Sequence, residues 1–249
     1  MKNIICYDNL DRFAYSNDKR ITEKGGKIRG IVIDYFGLGN QSMFGGPFRD
    51  TEKGDLFAAK DVVILIPYGN PWAWMNRAQV EYADTLIDVL FDHYSLDEKT
   101  PIVSTGESMG GQECLTYMAY AKRTPVAAVA NCPVCDLPYH FTERVDLPRT
   151  LYSAFHDMDG ELDDVLATAS PYHLVDKMPK GAEYRIIHCT NDGAVNLQKH
   201  SERFVEKMKE NGFNITLDRV PNRDHCDLPA EYREKFYQYM FDAIDRYAE

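Results

Sequence analysis

Residues 101–121 read Pro-Ile-Val-Ser-Thr-Gly-Glu-Ser-Met-Gly-Gly-Gln-Glu-Cys-Leu-Thr-Tyr-Met-Ala-Tyr-Ala, and the rest of the chain is interpreted from this segment. Ile102, Val103 and Thr105 suit a short buried strand over 101–105. Residues 112–121 predict a helix, with Cys114, Leu115, Met118 and Ala119 at core-facing spacing. Between them lies Gly106-Glu107-Ser108-Met109-Gly110, a Gly-x-Ser-x-Gly. A strand that turns at once into a helix holds its central residue in a strained backbone. Side chains at the flanking positions would collide, so glycines stand there. Ser108 Oγ is then pushed out at the carboxyl edge of the sheet, where the new helix aims its free N–H groups and positive dipole end. A serine so placed can attack a carbonyl while the Met109 N–H binds the developing oxyanion. The pentapeptide alone also fits a plain strand–turn–helix connection; the strand before it and the helix after it favour the nucleophilic reading.

The chain around this segment has 249 residues, 44% of them hydrophobic, enough for one sizeable core in a single α/β domain. A net charge of −11 argues against nucleic acid and anionic membrane as partners. The apolar run at Ile4, Ile5 and Cys6 is too short for a signal-peptide core, and no stretch approaches a transmembrane span. Six scattered cysteines in a chain of this size read as free thiols in a reducing cytoplasm.

Along the chain, residues 13–16 fit an edge strand and Gly25-Gly26 a turn. Strands are expected at 28–35, 62–66, 101–105, 126–130, 184–189 and 214–220. Helices are expected at about 55–60, 75–93, 112–121, 196–211 and 229–247, with 41–60 otherwise a loop. In the long helix, Val80, Ala83, Leu86, Ile87 and Leu90 form the buried stripe. This alternation implies a mostly parallel sheet with helices on both faces and right-handed crossovers. Residues 131–170 break the alternation; with Pro138, Pro148 and an acidic helical run at 160–168 they read as a cap or lid insertion over the carboxyl edge of the sheet. Ligands in such sheets bind at that edge.

A serine hydroxyl needs a base within hydrogen-bond reach, and the base needs an orienting carboxylate. His225, in the polar loop Asn222-Arg223-Asp224-His225-Cys226-Asp227 after the last expected strand, is the best-placed histidine. His93, His140, His156, His173 and His200 read as surface or packing residues, and His188, inside a strand, as a satisfied core residue. Asp192, in Thr190-Asn191-Asp192-Gly193-Ala194-Val195, is the expected orienting acid, although Asp also suits the start of a helix; Asp136 is the competing candidate. The order Ser108, Asp192, His225 is the one expected of this triad on this sheet. The Leu38 N–H, in Phe36-Gly37-Leu38-Gly39, is the expected second oxyanion donor, in a loop that also fits a simple glycine turn.

Taken together, these segments resemble the α/β-hydrolase superfamily over roughly residues 28–247. Gly106-Glu107-Ser108-Met109-Gly110-Gly111 resembles its nucleophile elbow, and Phe36-Gly37-Leu38-Gly39 its His-Gly-containing oxyanion loop, with Phe36 in place of the usual histidine. Ser170-Pro171-Tyr172-His173-Leu174-Val175-Asp176-Lys177 is similar to the segment leading out of the cap in prolyl-oligopeptidase-like and acyl-esterase members. Asn191-Asp192-Gly193-Ala194-Val195 and Asp224-His225 are similar to their acid and histidine loops. The resemblance implies two-step acyl transfer by Ser108, His225 and Asp192 with Leu38 and Met109 holding the oxyanion, and no metal or organic cofactor. At this length the β-propeller of the large prolyl oligopeptidases is not expected. The expected activity is therefore a small carboxylesterase, of acetyl or feruloyl type, acting on a small-molecule ester. The alternatives are a small serine peptidase or amidase, or a non-catalytic binding protein on the same fold.

Phe36, Tyr68, Trp72, Trp74 and Tyr139 are candidates for an aromatic substrate pocket, together with Phe141, Tyr152 and Phe155, although aromatics are also ordinary core residues. Cys132-x-x-Cys135 reads as a turn after a strand. A zinc site there would need two more ligands, with His140 and Cys226 only scattered candidates.

Overall fold

The computed structural model describes residues 4–39, 51–70 and 72–248. Most of the loop expected at 41–60 therefore lies outside the described residues, as do Asn40 and Pro71. Among the described residues one sheet is built from β1 (Ala14–Ser16), β2 (Gly30–Tyr35), β3 (Val62–Pro67), β4 (Ile102–Glu107), β5 (Ala127–Asn131), β6 (Glu183–Cys189) and β7 (Asn214–Val220). Its spatial order is β1-β3-β2-β4-β5-β6-β7. β1 runs antiparallel to β3, and every other neighbouring pair is parallel.

The period-two pattern of the strands explains the layering. Ile31, Ile33 and Tyr35 of β2 and Val63 and Leu65 of β3 enter one buried cluster. Val32 of β2 and Val62, Ile64 and Ile66 of β3 enter the cluster on the opposite face. A strand buried on both faces reads as a continuous apolar run, as both of these do. After the short α1 (Asp18–Thr22) come α2 (Thr51–Ala58), α3 (Arg77–Tyr94) and α4 (Met109–Tyr120). The insertion between β5 and β6 holds α5 (Leu137–Glu143), α6 (Leu147–Phe155) and α7 (Leu162–Ala167), and the chain closes with α8 (Arg203–Glu210) and α9 (Ala230–Tyr247). Val80 and Leu86 of α3, Leu115 of α4 and Phe204 of α8 pack on the first face. Phe57 of α2 and Phe236, Met240 and Ile244 of α9 pack on the second.

Several boundaries move, each for a local reason. β4 continues to Glu107 because Gly106 pairs with Tyr35 of β2 and Glu107 with Asn131 of β5. α4 starts at Met109 rather than 112, because the turn between strand and helix is one residue long. α3 starts after Asn76, whose side chain accepts the Gln79 N–H at 3.0 Å. Trp74 and Met75 cannot belong to it, since both have positive φ, 48° and 49°. The helix expected at 196–211 opens with a π-helical turn at Gln198–Glu202 before α8. None of the helices among the described residues is long and apolar enough to cross a membrane.

The insertion is tied down on several sides. Trp74 is fully buried among Leu137, Leu147 and Leu151, and its indole N–H donates to Thr150 Oγ1 at 3.1 Å. Asn76 donates to the Ala154 carbonyl of α6 at 2.9 Å. From α4, Gln112 and Thr116 donate to the Ala169 carbonyl at 2.6 and 2.7 Å, and Tyr120 to that of Thr168 at 2.7 Å. Glu143, at the end of α5, takes hydrogen bonds on one oxygen from His140 (2.5 Å) and His200 (2.7 Å), and the Asn196 N–H donates to its other oxygen at 3.3 Å.

The left-handed turn at Trp74-Met75 is anchored by Glu113 of α4, whose Oε1 accepts the Met75 N–H at 3.3 Å. Glu113 is buried, and burial outweighs that single hydrogen bond, pushing its carboxyl up to about 8. The native state therefore binds a proton that the unfolded state has released between the ordinary carboxylate range and about pH 8, so stability falls as pH rises through that window. Glu113→Gln keeps an acceptor without the charge. Urea unfolding is expected to show the variant gaining stability over wild type, on the order of a few kcal/mol at pH 8 and much less at pH 5.

Candidate active site

The chain crosses from one side of β2 to the other between β3 and β4, so the carboxyl ends of β2 and β4 flank a topological switch point, where open parallel sheets form crevices. Ser108 emerges from β4 there, with φ 58° and ψ −119°. The glycines around it are sterically required. A Cβ on Gly110 would stand 2.0 Å from the Tyr35 carbonyl oxygen, and one on Gly106 2.3 Å from that of Gly110. The Ser108 N–H is spent on the Asn131 carbonyl at 2.9 Å. The Met109 N–H stands in the first turn of α4, where no intrahelical acceptor exists. The loop after β2 abuts the serine: a Cβ on Gly37 would lie 3.5 Å from Ser108 Cβ, which brings Leu38 to the same spot.

His225 reaches in from the loop after β7. Its Nε2 lies 2.8 Å from Ser108 Oγ and its Nδ1 2.7 Å from Asp192 Oδ2. Asp192, after β6, has a fully buried side chain. Its Oδ1 accepts the Ala194 and Val195 N–H groups, both at 2.8 Å. Burial disfavours its charge, yet hydrogen bonds from His188, His225 and the Val195 N–H hold the carboxyl far below the usual carboxylate range. For His225, burial opposes protonation, but Asp192 and the neighbouring Cys132 outweigh it and raise the imidazole above its ordinary value. Burial pushes the Cys132 thiol up to about 12, so near neutrality that thiol carries no charge and the Asp192 carboxylate supplies the effect. A relay of this kind lets the hydroxyl pass its proton to Nε2 while the carboxylate fixes the tautomer.

His188 was legible only as a core residue. It is fully buried, with Nδ1 2.7 Å from Ser201 Oγ and Nε2 3.1 Å from the Val195 carbonyl and 3.2 Å from Asp192 Oδ2. Because both Nε2 partners are acceptors, Nε2 carries the proton and Nδ1 accepts from Ser201. His188 therefore holds the acid in place from beneath. A histidine in the apolar carboxyl half of β6, four residues before the acid, is the signal that could have marked it. Asp136 serves elsewhere: it caps α5 through the Tyr139 N–H at 3.1 Å and pairs with Arg203 at 3.1 Å.

A cavity of about 530 Å³ opens at Ser108 and His225, walled by Gly37, Leu38 and Trp72 on one side and by Arg144, Arg149 and Thr150 of the insertion on the other. Of the aromatics expected to line it, Trp72 does. Trp74 does not, because it is wholly buried under α6. Tyr139 packs tilted against His200, at 5.5 Å between ring centroids. Phe36 packs against the core on the α9 side of the sheet, and Tyr68 donates its backbone N–H to Phe13 at 2.8 Å at the end of β3. His200, read as surface or packing, is fully buried; its Nδ1 accepts the backbone N–H groups of Cys135 (3.1 Å) and Asp136 (3.2 Å). All six cysteines are free thiols. Cys132 does not pair with Cys135, which turns to the Pro133 carbonyl; it faces Cys226 and His225 instead.

Comparison with known structures returns the same sheet. A puromycin-hydrolyzing peptidase from Mycobacterium tuberculosis superposes with a TM-score of 0.72 at 16% identity, over 90% of this chain and 35% of that one. An acylaminoacyl peptidase from Pyrococcus horikoshii gives 0.68 at 13%, over 90% and 38%. The propionate-bound esterase Est2 from Thermogutta terrifontis gives 0.60 at 18%, over 88% and 82%. The chain thus spans little more than a third of the two peptidases. At these identities the likeness establishes the fold, an α/β-hydrolase. A search of curated sequences finds no match. The pattern of the prolyl oligopeptidase family, however, matches residues 68–249, most of the chain, and on that match the protein belongs to the prolyl oligopeptidase family.

Proposed function

We propose that the protein is a serine carboxylesterase acting on small-molecule esters, with Ser108 as nucleophile, His225 as general base and acid, and Asp192 as its orienting carboxylate. The observation that carries this reading is the continuous relay from Ser108 Oγ through His225 to Asp192, with steps of 2.8 and 2.7 Å, at the floor of an open cavity. Ser108 Oγ attacks the ester carbonyl as His225 Nε2 takes its proton, and the Leu38 and Met109 N–H groups receive the oxyanion. The alcohol departs with that proton, and water then hydrolyses the acyl-enzyme by the same path in reverse. Each oxyanion donor contributes about 2.7–4 kcal/mol of transition-state stabilisation. A cavity of about 530 Å³ falls in the size range of small-molecule sites. The family membership keeps a peptidase or amidase as the second reading.

The cavity mouth favours a particular ester. Arg144 is tied to Asp146 by two hydrogen bonds of 3.0 and 2.6 Å, and the acidic Glu107 of the lining accepts from Asn131 at 3.2 Å, so Arg149 is the cation offered to a ligand on the insertion side of the cavity. An ester bearing a carboxylate on its acyl or alcohol side matches that wall.

Matched p-nitrophenyl esters and anilides, acetate to octanoate plus an aromatic acyl group, test the reaction class. Ester turnover that disappears in Ser108→Ala is expected, with anilide turnover far slower; faster anilide cleavage would assign a peptidase. Because the base must be neutral and Asp192 raises its pKa, the acid limb of the kcat/KM profile is expected above pH 6.5. In Asp192→Asn it moves down, and kcat falls by up to about 10⁴. Arg149→Ala is expected to lower kcat/KM for a hemisuccinate ester by about tenfold, the loss of one charge-assisted hydrogen bond, and to leave a neutral ester nearly unchanged. An equal loss on both esters would remove the anion-recognition role.

A further inference from the structure

Two thiols converge on the proposed general base, and the hydrolytic relay uses neither. Cys132, His225 and Cys226 hold their ligand atoms within 4.8 Å of one another. We propose that these three residues form a site for a soft divalent cation of the zinc and cadmium class, and that occupancy silences Ser108.

The donor set has the right chemistry: two sulfurs and an imidazole suit soft and borderline cations and disfavour magnesium or calcium. The spacing also fits. Cys226 Sγ lies 3.6 Å from His225 Nε2. On a tetrahedral zinc, bonds of ~2.3 Å to sulfur and ~2.0–2.1 Å to nitrogen separate the two ligand atoms by about 3.6 Å.

The surroundings are those of a metal ligand set. A ligating histidine commonly donates its other ring N–H to a carboxylate, which fixes the tautomer and raises the basicity of the ligating nitrogen; Asp192 does this at Nδ1, 2.7 Å away. Cys132 Sγ accepts two backbone N–H groups, from Cys189 at 3.3 Å and Cys226 at 3.4 Å. Such donors stabilise sulfur that gains negative charge, as it does on binding a cation. Access is provided by the cavity, since His225 and Cys226 both line it. As the cation binds, two metal–sulfur bonds form and two thiol protons leave to solvent, while the Nε2 lone pair is committed to the metal. That lone pair can no longer take the Ser108 proton.

The histidine cluster at Glu143 does not compete. His140 and His200 both hydrogen-bond to one oxygen of Glu143, at 2.5 and 2.7 Å, and the Nδ1 of His200 is engaged by two backbone N–H groups. That network is closed, and its atoms stand too near one another to admit an ion.

The test is titration of the purified, reduced protein with cadmium chloride, followed by ultraviolet thiolate-to-metal charge transfer. One equivalent is expected to give the band, to abolish ester turnover in parallel, and to be reversed by a chelator. Ser108→Ala is expected to keep the band, so that binding is read independently of whether the protein is an esterase. Cys6→Ser, which alters a remote exposed thiol, is expected to change nothing. Cys226→Ser and, on a different side chain, His225→Gln should each lose or weaken binding, and Asp192→Asn should weaken it by about 10–100-fold. A band of full strength in both Cys226→Ser and His225→Gln, or no band in wild type, overturns the site.

Discussion

The contact between the Gly110 backbone and the Tyr35 carbonyl sets the geometry of everything around it. Three elements must meet within a few ångströms: the end of β2, the end of β4 and the first turn of α4. A single methyl group at Gly110 would stand 2.0 Å from a carbonyl oxygen that the sheet itself holds fixed. Because no side chain intervenes, α4 lies directly on the switch point, its free N–H groups converge on Ser108, and the Gly37-Leu38 loop closes from the other side. The nucleophile's position is thus a property of backbone packing, over which the side chains have little influence.

The partners of Ser108 are held by a different logic. Asp192 sits in a small polar chamber beneath the sheet edge, where two backbone N–H groups, His188 and His225 divide its oxygens between them. The insertion is built into the same framework. Its entry is locked through Asp136 and the buried His200, its middle through Trp74, and its exit through Gln112 and Thr116 of α4. The helix that carries the serine at its start therefore also fixes the wall of the cavity that faces it.

How much of this was legible depends on the range of the interaction. Gly106, Ser108 and Gly110 could be read from five residues, because their constraint is local and steric. The convergence of Ser108, Asp192 and His225 could be read from chain order, because a parallel sheet delivers every strand end to one edge. The β4–α4 boundary was harder: a one-residue turn leaves no loop composition to detect. The aromatics failed as markers, since Trp72 lines the cavity while Trp74, two residues on, is core; the left-handed backbone at Trp74 and Met75 that separates them has no sequence signature without glycine. The thiols were read by local spacing as Cys132-x-x-Cys135, whereas Cys132 meets Cys226 across the sheet. His188 and His200 belong to networks whose other members lie on separate elements, so each looked like an isolated packing residue.

The backbone of Ser108 has a consequence for how such a site persists through mutation. At φ 58° and ψ −119° it occupies a conformation that suits glycine and is strained for any residue with a Cβ, by roughly 1–3 kcal/mol. Replacement by glycine would relax the turn and leave the fold intact, so drift governed by stability alone runs toward erasing the hydroxyl. The fold tolerates serine here less well than glycine, and its presence is the mark of a constraint other than folding.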